Sequence, residues 1–129
     1  MVPACMLVVL GLGTVAVDGA VVHAAQRRLL MVCAAAADDA AGMVDARAVQ
    51  RDGSVRLDEA AARRVATARL AATRRIGASA GPTRIVPDAR RGTVDVATTV
   101  DVAHLVFRLL PGGAGPTTVS CHVRGRLRP

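Results

Sequence analysis

The chain contains no tryptophan, no tyrosine and no lysine, and Phe107 is its single aromatic residue in 129. Without aromatic rings there is little for nucleic-acid bases to stack on and no large rigid side chain to anchor a core. The core must come from Val, Leu and Ala, which bury little area each. At about 25 cal/mol per Å² of apolar surface, a module of this size is only marginally stable. The length allows one small domain, or a membrane anchor with a smaller head. Histidine and cysteine are also scarce. His23, His104 and His122 lie far apart, and Cys5, Cys33 and Cys121 form no C-x-x-C, so no metal or cofactor site is expected. The 17 basic residues are all arginine and outnumber the ten acidic ones, for a net charge of +7. They are scattered from Arg27 to Arg128, with pairs at 27/28, 63/64, 74/75 and 90/91, a spread that suits solvated helix faces and turns. Composition therefore argues against a nucleic-acid partner, and an Arg-rich nucleic-acid-associated protein stands as one alternative reading.

Charge is missing altogether from Val2 to Val17, and apolar character continues past Asp18 to Val22. As a helix rising about 1.5 Å per residue, this segment spans roughly 31 Å, close to the hydrocarbon thickness of a bilayer. We therefore expect a transmembrane anchor over residues 1–25. Asp18 would lie in its last third, at the membrane edge or facing an arginine of a partner. His23, Gln26, Arg27 and Arg28 would form the water-facing rim. Gly11, Gly13 and Gly19 would let another helix approach closely. A buried helix or a signal peptide is the plainer alternative, although no small-x-small cleavage site stands out.

The same stretch holds Gly11-Leu12-Gly13-Thr14-Val15-Ala16, a G-x-G-x-x-A string behind an apolar run, as in dinucleotide-binding units. A soluble dinucleotide-binding enzyme or fragment using this loop is thus a second alternative. It needs a strand near Leu30–Ala37 ending at Asp38 or Asp39, where Ala34 to Ala37 favours helix instead.

Beyond the anchor, helical character runs over 26–47, with Asp45 or Arg47 marking its end, and Arg51-Asp52-Gly53-Ser54 signals a turn. A second helix is expected over 58–76. Asp58 is its N-cap, and Ala62, Ala66 and Leu70 give it a shallow apolar face. Gly77 and Gly81-Pro82 end it. Antiparallel strands follow over 83–128. Val94, Val96, Val100 and Val102 alternate with polar or small residues, and Val119, Cys121 and Val123 do the same near the end. Leu105–Leu110 reads as a strand or single helical turn, and Pro111–Pro116 as a loop. The expected fold class is α+β: a long anchor helix continuing into a small head with one further helix and about three antiparallel strands.

No catalytic constellation emerges. Asp38 and Asp39 diverge on a helix, and Cys121 and His122 point to opposite faces of a strand, so neither pair suits acid–base or nucleophilic work. No small-molecule substrate is expected. An exported head would permit a Cys33–Cys121 disulfide tying the long helix to the last strand; two buried thiols are the alternative.

The order of parts resembles the TadE/TadG-like proteins of tight-adherence (Flp) pilus assembly, especially small actinobacterial TadE-like proteins associated with helicase and secretion genes. The matching pieces are Val17-Asp18-Gly19, Gln26-Arg27-Arg28-Leu29, the Ala34–Ala41 run around Asp38 and Asp39, and Leu57-Asp58-Glu59-Ala60-Ala61-Ala62. Thr93-Val94-Asp95-Val96 and Thr117-Thr118-Val119-Ser120 match the strands. The resemblance implies a non-enzymatic, single-pass, pseudopilin-like protein of the cell membrane. Its head would face away from the cytoplasm, and its partners would be other pilin-like or Tad-type assembly subunits. Such proteins usually carry a short charged segment before the apolar run, whereas here Met1-Val2-Pro3 leads straight into it. Arg27 and Arg28 behind the anchor, taken alone, favour a cytoplasmic head. A segment upstream of Met1 would reconcile both departures, so an extracytoplasmic head is the expectation.

Overall fold

The computed structural model describes residues 2–106 and 115–127. Its spine is α1, a helix from Val2 to Ala41. Ala, Leu and Met favour the helix, and Pro3 sits in the first turn, where its missing N–H costs nothing. The two halves differ in burial. Up to Val17 the described side chains are almost all exposed. From Asp18 onward burial recurs at Ala25, Leu29, Cys33, Ala36, Ala37, Ala40 and Ala41, a three-and-four spacing that places one stripe against the rest of the molecule.

α1 ends at Ala41, earlier than the 26–47 span expected. Gly42 and Met43 turn the chain, and Gly42 N–H donates to the Asp38 carbonyl at 3.1 Å. Asp45 starts a helix here instead of closing one. Its carboxylate accepts from the N–H groups of Arg47 (2.9 Å) and Ala48 (3.3 Å), capping a short α2 over Ala46–Asp52. Gly53, at φ +70°, then closes α2 in the left-handed conformation that glycine adopts most easily. α3 spans Glu59–Leu70 and tightens into a 3₁₀ turn over Ala71–Arg75. Asp58 caps it as expected, accepting from Ala61 N–H at 2.9 Å, and Ala62, Ala66 and Leu70 are buried.

The strands are β1 (Ala78–Ser79), β2 (Arg84–Asp88), β3 (Thr93–Val102) and β4 (Thr117–Arg126), all antiparallel. β3 is central. β4 pairs along its whole length, from Thr93↔Arg126 to Val102↔Thr117. β2 and the short β1, which lies outside the expected 83–128 span, share the other edge of β3. Val94, Val96, Thr98, Val100 and Val102 point inward, and the Thr98 hydroxyl is bonded to that of Thr83 at 3.0 Å. Of the expected 105–110 segment, only Leu105 and Val106 are described, and they form a bend. The rest of that segment and residues 111–114 of the expected loop lie outside the described residues.

α1 packs over β3 and β4, with α3 beside it toward β2, giving helices on one face of the sheet. Small side chains let the backbones approach. A Cβ at Gly125 of β4 would collide with the Ala37 carbonyl of α1, so only glycine fits there. The fold is α+β, with a long apolar N-terminal helix.

Candidate functional site

The first functional feature is the bare half of α1. Met6, Val8, Val9, Leu10, Leu12, Val15 and Val17 are 47–67% exposed. At about 100° per residue they are distributed around the whole helix, so no polar face exists. Thr14 carries the only hydroxyl between Val2 and Val17, and it donates to the Gly11 carbonyl at 2.7 Å. That polar group is therefore satisfied within the helix. α1 is long and apolar enough to cross a membrane, and only 11% of its most apolar stretch is buried in the molecule. A Cβ added at Gly11, Gly13 or Gly19 would meet nothing within 4 Å. These glycines are open helix surface. Gly11 and Gly13 point about 200° apart, so they do not form a single groove.

The second feature is the root of this stalk. Asp18, expected at a membrane edge or against a partner's arginine, is instead 1% exposed and bonded to its own chain. Its Oδ1 accepts from the backbone N–H groups of Leu105 (2.9 Å) and Val106 (3.1 Å). Its Oδ2 lies 3.9 Å from Nδ1 of His104, whose Nε2 is 2.9 Å from the Thr117 hydroxyl. The carboxylate thus fixes the segment after β3 to the helix and links it to the start of β4. Nothing in the sequence pattern ties His104, Leu105 or Thr117 to Asp18. The available signal was one carboxylate inside an otherwise uncharged run, which calls for compensating donors wherever it is buried. Arg27 and Arg28 are exposed, about 14 Å further along the axis.

Cys33 and Cys121 form a disulfide joining α1 to β4, and Cys5 is an exposed free thiol on the stalk. The G-x-G-x-x-A string lies wholly inside α1, and the strands among the described residues pair only antiparallel. The phosphate-cradling turn between strand and helix that a dinucleotide site needs is not formed, because the Gly11–Ala16 backbone is helical.

Several arginines are paired with carboxylates of the same chain: Arg56 with Asp52 (3.7 Å), Arg69 with Asp39 (2.5 Å), Arg91 with Asp88 (3.7 Å) and Arg124 with Asp95 (2.6 Å). Arg124 grips Asp95 through two nitrogens, and this bonding holds the Asp95 carboxyl below the usual carboxylate range. Among the described residues, no three His, Cys, Asp or Glu side chains converge as a metal site would need. A groove on the outer sheet face is lined by Arg84, Val86, Asp95, Ala97 and His122.

Comparison with family models, with curated proteins and with solved structures gave no match. The functional reading therefore rests on the stalk, its root and the head.

Proposed function

We propose that this chain is a single-pass membrane protein, a pseudopilin-like subunit or assembly factor of a tight-adherence pilus or related secretion apparatus. The observation that carries this reading is the division of α1. One half is uncharged and apolar on every side, and the other is clamped against an antiparallel sheet without a break in the helix. Such a spine leaves the bare half to pack among lipids and other helices while presenting the head at a set distance and orientation. Lateral packing would use the open surfaces at Gly11, Gly13 and Gly19. The head serves as a docking surface and catalyses no reaction.

The head faces away from the cytoplasm in this proposal. The Cys33–Cys121 disulfide supports that side, because disulfides persist in oxidising compartments. Arg27 and Arg28 pull the other way, since arginines flanking a span favour the cytoplasmic side.

The test uses a C-terminally tagged chain expressed in bacterial protoplasts, with carbonate extraction of membranes and external protease. A tag that stays with the membranes and is destroyed from outside fits the proposal. A tag released into the soluble fraction sinks the anchor. A membrane-held but protected tag means that Arg27 and Arg28 set the orientation and the head is cytoplasmic.

A further inference from the structure

The bare part of α1 is shorter than the apolar segment read from the sequence. Asp18 is buried under the residues that follow β3, so the helix is bare on every side only up to Val17, and beyond it one face is covered. The base of the head therefore begins where the bare helix ends, at the level where a helix crossing a bilayer leaves the hydrocarbon core.

That base has the chemistry to sit there. Leu105 is 60% exposed, yet its backbone is held at the stalk root by the Asp18 carboxylate, so it cannot fold away from the bilayer. Val15 and Val17, in the turn of α1 just before Asp18, are exposed apolar side chains as well. The same end of the sheet carries β1, where Ala78 pairs with Asp101 and Ser79 with Val100. Exposed Arg74 and Arg75 close the 3₁₀ turn just before it. Apolar side chains at the level of the glycerol backbone, with arginines reaching for phosphates, are the usual makeup of a membrane-interface surface.

We infer that the Ala103–Val106 segment, fastened by Asp18, is a lipid-docking element that seats the base of the head in the interface of the bilayer its stalk crosses. This rests on the membrane reading above. The segment lies on one side of the helix only, so its seating sets the tilt of the head.

The experiment is depth-dependent fluorescence quenching on the full chain with its disulfide intact. A Cys5→Ser background carries one new cysteine at a time, Leu10→Cys, Leu105→Cys or Val55→Cys, each at an exposed position and labelled with an environment-sensitive fluorophore. The protein is reconstituted into vesicles of phosphatidylcholine and phosphatidylglycerol brominated high or low on the acyl chain. The expected result is loss of emission at Leu10 with deep bromines, loss at Leu105 with shallow bromines, and none at Val55, beyond the far end of the head. Quenching at Leu10 with Leu105 no more affected than Val55 overturns the docking element and leaves the membrane reading intact. No quenching at Leu10 overturns the membrane reading and the docking element together.

Discussion

The Asp18 carboxylate accepts hydrogen bonds from Leu105 N–H at 2.9 Å and Val106 N–H at 3.1 Å, across 87 and 88 positions of sequence. A charge in the middle of an apolar helix thereby becomes the fastening between stalk and head. Hydrogen bonds to a charged group contribute about 1.5–3 kcal/mol net, and removing the acceptor leaves two amides without it. Asp18→Ala is expected to destabilise the head by about 3 kcal/mol, and Asp18→Asn, which keeps one acceptor oxygen, by about half as much. Urea unfolding in detergent micelles, followed by circular dichroism, measures both. An unchanged midpoint for Asp18→Ala would show that the contact contributes nothing.

The Cys33–Cys121 bond closes a loop of 88 residues. By the chain-entropy relation, such a loop restricts the unfolded state enough to stabilise the fold by about 4–5 kcal/mol. The double variant Cys33→Ala/Cys121→Ala should lose most of that, again by urea midpoint. In the oxidised protein, thiol titration should find Cys5 alone. Two further reactive thiols in unreduced protein would rule the bond out.

Glycines in the two halves of the spine should behave oppositely. Gly125→Ala drives a Cβ into the Ala37 carbonyl, and backbone on both sides leaves little room to adjust. A loss of about 2–3 kcal/mol follows from overpacking of this kind. Gly11→Ala and Gly19→Ala meet open space and should leave the head's stability unchanged. If those two variants fold normally yet fail to assemble in cells, the defect lies in packing against another helix.

The Asp95–Arg124 pair makes a signed prediction for pH. Bonding to Arg124 lowers the folded-state pKa of Asp95 below its unfolded value. Its contribution is therefore fully present above the unfolded value of about 3.9 and is lost as pH falls through the folded one. The stability difference between the parent chain and Asp95→Asn should be present at neutral pH, shrink with added salt and vanish in acid. A difference that persists at the lowest accessible pH would mean that packing, not charge, is responsible.

Much of the architecture was legible because it is written locally. Uncharged Val2–Val17 specifies an apolar helix, Asp58 a helix start, and the valines at 94, 96, 100 and 102 a half-buried strand. The errors also have local causes. Asp45 is a good capping residue, and its use as a start signal depended on Gly42 having already turned the chain. β1 has only two residues, too few for a period-two pattern, and exists because the β3 edge is free to pair beyond β2. Gly11–Ala16 reads as a phosphate loop or as helix with equal ease from its letters. Among the described residues every strand pairs antiparallel, so no parallel strands hold such a loop open there, and helix prevails.

By itself the sequence determined the apolar spine, the helix caps and the alternation of the strands, because each follows from propensity and period over a few residues. Only the tertiary structure decided where the stalk ends. Asp18 is four residues short of Val22, the end of the apolar segment, and nothing near it in sequence says whether it meets water, a partner or its own chain. The β3–β4 pairing brings His104, Leu105 and Thr117 to it. A buried carboxylate must find donors, and the donors that satisfy this one come from residues far along the chain.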